Sequence, residues 1–142
     1  SELDSVFNDS SVICNFNTFF VNKNLIWDFF DAVTGWTTFQ KEWYETNGQR
    51  ILQLQRAMLL LGGPDLKWKP EVDDDNPPRF YEPLPSGPYK GRKVKKEKFQ
   101  EAKKEYYDAV GWDEKGLPKP ETLRKLGLQD VEAKLRKSNV LH

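Results

Sequence analysis

Cys14 is the only cysteine in the chain, and it closes the hexad Asp9-Ser10-Ser11-Val12-Ile13-Cys14, in which polar residues give way to apolar ones. A thiolate is a soft ligand able to hold a metal. No second cysteine or histidine stands near it, and Asp9 taken alone reads as a turn or cap residue. The residue types therefore leave two readings. Cys14 is either a packed, inert thiol, the commoner fate of a free cysteine, or a ligand whose companions lie on other polypeptide.

The rest of the chain offers little competing chemistry. Its single histidine, His142, is terminal, and there is no glycine-rich phosphate cradle and no nucleophile elbow, so no catalytic residue emerges. The one concentrated charge runs through Lys90, Arg92, Lys93, Lys95, Lys96, Lys98, Lys103 and Lys104. Phe99 and Tyr106 fall on the apolar stripe rather than among these cations, so the run reads as a solvated helix face, not a stacking platform for nucleic acid. Over 142 residues, 22 Lys and Arg balance 22 Asp and Glu, which leaves no global field for nucleic acid or an anionic membrane. No apolar stretch approaches the ~20 residues a membrane span needs, and no signal peptide is visible. A lone cysteine cannot form an internal disulfide framework, which favours a reducing, cytoplasmic setting.

The elements that must position Cys14 are helical. The hydrophobic content of 37% can supply the core of a single domain over 1–142. Leu25, Ile26, Trp27, Phe29, Phe30 and Val33 crowd a segment between a candidate N-cap, Asn24, and Gly35, predicting a mostly buried helix. Thr37 and Gln40 have capping-box spacing, and Phe39, Trp43, Arg50, Leu54, Met58 and Leu61 recur at helical intervals, predicting one long amphipathic helix over 38–61. Gly48 interrupts it at a cost of roughly 1 kcal/mol relative to alanine, so a close backbone contact or a bend is expected there. Gly62-Gly63-Pro64 ends it.

Seven of the nine prolines fall within 63–92, together with the acidic triplet Asp73 to Asp75 and no helical period. Phe80, Tyr81, Leu84 and Tyr89 make this stretch too apolar for a solvated linker, and an ordered strap is expected, without regular structure. Phe99, Ala102, Tyr106 and Val110 then predict a second amphipathic helix over 95–110, capped by Gly111. A turn through Trp112 to Pro118 leads to a short helix opened by Pro120 and stopped at Gly127-Leu128. A charged last helix over 130–137 should pack through Val131 and Leu135 and fray at its end. The fold class is all-α: an irregular helical domain with a long proline-rich extended strap.

These segments resemble the C-terminal domain of the tungsten-containing aldehyde ferredoxin oxidoreductase family. Tyr106 to Pro118 (YYDAVGWDEKGLP), followed by Leu123, Leu126, Gly127 and Leu128, is similar to that family's closing segment almost position for position. Gly48, Arg50, Gln55 and Arg56 resemble its long helix, and Asp75-Asn76-Pro77-Pro78-Arg79-Phe80 resembles its Leu-Pro-x-Arg-Phe strap. The family's Asp-x-x-Gly-Leu-Cys motif is matched by Asp9, Ile13 and Cys14, with isoleucine for leucine and Val12 standing where the motif has glycine.

The resemblance implies that Asp9, and the backbone around Ile13, face a tungstopterin, and that Cys14 is the fourth ligand of a 4Fe-4S cluster. The other three ligands, a Cys-x-x-Cys-x-x-x-Cys set, would come from the N-terminal domains. It further implies oxidation of an aldehyde to a carboxylic acid, or the reverse, with electrons passing to ferredoxin. Some relatives reduce aromatic acyl thioesters instead. The chain by itself is expected to hold no cofactor and to be inactive, because one thiolate cannot retain a four-iron cluster. From another class, a non-catalytic helical interaction module would use the strap and basic helix to dock a partner.

Overall fold

The computed structural model describes residues 2–18 and 20–142. The chain divides into two compact units, Ser1–Gln55 and Arg56–His142. Helices dominate both, and among the described residues no strand forms; one isolated antiparallel bridge joins Trp112 and Pro118. The all-α expectation holds.

The first unit contains α1 (Glu2–Ser10), α2 (Asn15–Thr18), α3 (Lys23–Thr34), α4 (Phe39–Glu42), a π-helical turn (Trp43–Asn47) and the start of α5 (Gly48–Leu61). Its core is aromatic: Val6, Phe7, Trp27 and Trp43 are buried, with Ile13, Ile26, Phe30 and Phe39 packed around them. Phe7 lies at the centre, 4.0 Å from the Trp27 ring and edge-on to Trp43 at 5.2 Å. Such pairs add to plain area burial.

Two expectations for α3 need correction. Its N-cap is Asn22, whose side-chain oxygen accepts the Asn24 N–H, so the helix starts earlier than Asn24 would allow. Only Trp27 is fully buried, while Leu25, Phe29 and Val33 stand exposed at one-turn spacing. The segment is apolar around most of its circumference, and this core takes only one side.

The long helix predicted over 38–61 is present but not uniform. Thr38 is already helical at the cap position and its hydroxyl bonds the Glu42 carboxylate, so the capping box at Thr37 does not form. The extra residue of the π turn lets the Trp43 indole fold beside Gly48, where a Cβ would sit 2.9 Å from Trp43 Nε1. Gly48 therefore provides the close contact expected of it. Trp43 Nε1 donates to the Leu3 carbonyl at 3.0 Å, and Tyr44 donates to Asp4, so the π turn fastens α1.

The second unit comprises the remainder of α5, α6 (Pro70–Asp73), a 3-10 turn (Pro78–Tyr81), α7 (Lys96–Val110), α8 (Pro120–Lys125) and α9 (Gln129–Lys137). Its aliphatic core centres on Leu123 and Leu135, both at 0% exposure, with Ala57, Leu60, Leu126, Leu128 and Leu141. The strap carries two short helical turns that its prolines had argued against; Pro70 and Pro78 each occupy a first helical position, where a missing N–H costs nothing. On α7 the buried tyrosine is Tyr107, not Tyr106, and Ala102 is exposed, a one-residue rotation of the stripe. The rotation is set by the hydrogen bond of Tyr107 described below. The end of α9 is not frayed: Asn139 adopts the left-handed conformation (φ 55), Val140 N–H returns to Leu135 O, and Leu141 is buried.

Three helices of the second unit close in the same way, with a left-handed residue followed by a return bond to the carbonyl five residues back. Gly111 does this for α7, Gly127 for α8 and Asn139 for α9. These are the residue types that tolerate a positive φ. Helix α1 ends identically, yet the left-handed residue is Val12, φ 58: Ile13 N–H bonds Asn8 O at 2.7 Å and Val12 N–H bonds Asp9 O at 3.3 Å. A β-branched residue is an outlier there. Val12 is 93% exposed, so little burial offsets the strain. Val12→Gly is expected to stabilise the first unit by about 0.5–1 kcal/mol, the left-handed penalty less glycine's larger unfolded-state entropy. A urea-unfolding midpoint below that of the parent chain would contradict this.

Candidate functional site

The turn that ends α1 decides where each residue of the Asp9-to-Cys14 stretch points. In this kind of helix stop, the residue after the left-handed position makes an apolar contact back onto the helix. Ile13 occupies that position and packs on the aromatic core of the first unit. Cys14, one residue further, is exposed, and Asp9, in the last turn of α1, is exposed as well. Cys14 is not packed within this chain.

Close to Cys14 in sequence, Val12 is 93%, Phe16 78% and Phe20 96% exposed. Asp9 and Cys14 are not gathered with other ligands: among the described residues, no three His, Cys, Asp or Glu side chains group as a metal site. The chain thus offers one accessible thiolate and no co-ligand, a donor set that fits one corner of a cluster whose other irons are held elsewhere. The backbone at residues 9–14 is tied by the bonds of the helix stop, so the thiolate is presented from a fixed turn.

A second constellation, absent from the sequence reading, organises the second unit. Arg56 of α5 is 4% exposed. Its Nη1 donates to Asp74 Oδ1 at 3.0 Å, its Nη2 to Asp74 Oδ2, and its Nε to the Gly116 carbonyl at 2.9 Å. Asp74, at the end of α6, also accepts from Trp68 Nε1 at 2.7 Å and from the Tyr107 hydroxyl, and its backbone carbonyl accepts from Lys103 Nζ at 3.1 Å. The guanidinium lies 4.3 Å from the Trp112 ring centroid. One carboxylate therefore ties the strap to α5, α7 and, through Arg56, the 112–118 turn.

Burial would raise the Asp74 pKa, but the bonds from Arg56, Tyr107 and Trp68 together hold it below the ordinary carboxylate range. Burial, reinforced by the carboxylate it bonds, pushes the Tyr107 hydroxyl far up. Gly116 is part of the same knot: with φ +74, a Cβ would stand 2.5 Å from Arg56 Nη2. A sequence signal was available. Arg56 sits one turn from Leu52 and one turn from Leu60, both buried, and a cation at core spacing demands a buried acid. The Arg56 and Asp74 side chains are paired with one another and with Gly116, Trp68 and Tyr107, the pattern of a structural tie.

The strap aromatics do not make an enclosed ligand pocket. The chain turns back at 84–92 through Leu84 N–H to Arg92 O and Gly91 N–H to Leu84 O, and Phe80, Leu84, Tyr89 and Arg92 line an open cup of about 480 Å³. Lys90, Lys93, Lys95 and Lys98 are exposed, as a solvated face requires. No helix is long and apolar enough among the described residues to cross a membrane.

Among the described residues the chain is helical and presents Cys14 just after a helix-ending turn. Residues 2–128 match the family model for aldehyde ferredoxin oxidoreductase, domains 2 and 3. Similar proteins include the aliphatic sulfonate oxidoreductase, WOR-like subunit, of Pyrococcus furiosus, 46% identical over 136 residues, covering 96% of this chain and 22% of that protein. The tungsten-containing aldehyde ferredoxin oxidoreductases of Pyrococcus furiosus and Pyrococcus horikoshii are 37% and 35% identical over 123 residues, covering 86% of this chain and 19% of each relative. The chain belongs to the aldehyde ferredoxin oxidoreductase family, as its C-terminal region. It spans about a fifth of the length of these curated relatives.

Proposed function

We propose that the chain is the C-terminal, cofactor-enclosing part of a tungstopterin and iron-sulfur oxidoreductase, to which it contributes Cys14 as the fourth thiolate of a 4Fe-4S cluster. The observation that carries this reading is the placement of Cys14: exposed, and mounted just after a helix stop whose residue Ile13 is anchored in the core. Asp9, exposed on the last turn of the same helix, orients the pterin by accepting hydrogen bonds from its amino groups, charge-assisted and so stronger than neutral ones. The remaining cluster ligands come from the N-terminal domains.

When bound, the tungsten cofactor supplies two-electron chemistry in which an aldehyde and water become a carboxylic acid, two protons and two electrons, the electrons leaving for ferredoxin. This chain holds and shields; it donates no general acid or base.

A second reading concerns the substrate, and the 46% identity to a relative named for aliphatic sulfonates favours it over the 37% aldehyde relative. Anaerobic preparation of the full-length polypeptide, followed by iron and tungsten analysis and by dye reduction with aldehydes and with aliphatic sulfonates, tests both. Iron and tungsten are expected together. Their joint absence overturns the proposal, and dye reduction by sulfonates alone replaces the aldehyde by the second substrate.

A further inference from the structure

Cys14 lies between two anchored neighbours, and both anchors belong to one residue. The Asn8 main-chain carbonyl accepts the Ile13 N–H at 2.7 Å. Its side-chain Nδ2 donates to Asn15 Oδ1 at 2.7 Å and to Thr18 Oγ1 at 3.3 Å. Asn15 in turn donates from Nδ2 to Asp9 Oδ1 at 3.4 Å, and Thr18 Oγ1 donates to the Asn15 carbonyl at 2.8 Å. Asn8 thus grips residue 13 on one side of the cysteine and residues 15 and 18 on the other. Asn8 itself is only 6% exposed.

Apolar burial does not explain this docking. Helix α2 turns Phe16 outward at 78% exposure, while a polar amide fills the inward position on α1. A buried amide is retained where its hydrogen bonds fix a geometry, since leaving its partners unmatched costs about 1–3 kcal/mol. The geometry fixed here is the approach of the chain to, and its departure from, Cys14.

We infer that Asn8 is a positioning residue for the Cys14 thiolate, holding the turn on which the sulfur reaches the cluster. The inference rests on the reading of Cys14 as a ligand. Groups that orient a metal ligand from behind are worth about 10–100-fold in metal affinity. Asn8→Ala removes the side-chain grip and leaves Asn15 Oδ1 and Thr18 Oγ1 without their donor. Asn8→Asp keeps the size of the side chain but not its Nδ2 donor; Asn15 Oδ1 can only accept, and the Thr18 hydroxyl already donates to the Asn15 carbonyl, so the grip is lost.

The test uses the full-length polypeptide, purified anaerobically, with three measurements: the rate of iron loss to a chelator, amide exchange of the peptide spanning residues 9–18, and the unfolding midpoint. Asn8→Ala is expected to release cluster iron about tenfold faster, with faster exchange confined to that peptide. Asn8→Asp, which keeps the shape without the donor, should lose iron about as fast as Asn8→Ala. Asn15→Ala, which breaks the same grip from a half-buried partner, guards against a folding failure of Asn8→Ala and should also speed iron loss. Parental iron retention in both alanine variants, while Cys14→Ser loses iron, overturns the positioning role alone. Parental iron content in Cys14→Ser overturns the ligand reading, and the inference falls with it.

Discussion

Asp74→Ala is expected to destabilise the second unit by about 3 kcal/mol, because it leaves the Arg56 guanidinium buried and without its counter-charge. The carboxylate accepts from three side chains, those of Arg56, Trp68 and Tyr107, so its removal leaves the strap without these ties. Urea unfolding of the chain should show a lowered midpoint with little change in slope. Arg56→Met combined with Asp74→Ala is expected to cost less than Asp74→Ala alone, since an apolar replacement carries no uncompensated charge. Equal midpoints for Asp74→Ala and the parent chain would refute the knot.

The same pair makes an acid limb. The folded pKa of Asp74 lies below its unfolded value, so as the pH falls the unfolded chain takes up the proton first. The contribution is complete above the unfolded value, about 4, and drains away as the pH falls through the lower folded value. Asp74→Ala should therefore show a shallower loss of stability in this acid window.

Much of the fold was legible because its signals were local. Gly111, Gly127 and Gly35 each end a helix where the pattern of apolar residues stops, and Pro120 opens one, so a single residue type carried each boundary. The corrections arise where tertiary contacts decide. Tyr106 and Tyr107 are adjacent, and helical spacing alone favoured Tyr106; only Asp74, far away in the strap, selects Tyr107. The π turn is invisible to a 3.6-residue period; the cost of a mid-helix glycine pointed to a close contact or a bend at Gly48, but not to the Trp43 ring that makes the contact. Leu25, Phe29 and Val33 gave a buried helix by composition, and nothing local says that this core receives only one side of it.

The candidate site was legible in a different sense. Spacing alone left Cys14 between packing and ligation, and the Asp-x-x-Gly-Leu-Cys resemblance tipped it. In this chain the fourth position of that stretch is the left-handed residue of a helix stop, the fifth the apolar contact that follows, and the sixth an exposed residue. Asn8 and Asn15 escaped notice because single asparagines near a helix end look like ordinary caps. Their role depends on a burial that no sequence pattern announces.

Cys14→Ser is the second change with a large expected effect. Serine keeps the size of the side chain but replaces a soft thiolate by a hydroxyl that stays protonated and binds iron poorly. The turn itself should survive, because Cys14 is exposed and the bonds that close the helix stop run between main-chain atoms of other residues. Loss of the ligand should therefore separate cleanly from loss of fold. The decisive measurement is the iron content of the anaerobically purified full-length Cys14→Ser polypeptide beside the parent: a fall approaching a whole four-iron cluster per polypeptide is expected, with an unchanged far-ultraviolet circular dichroism spectrum, and equal iron in the two preparations would contradict the assignment of this chain as a cluster ligand.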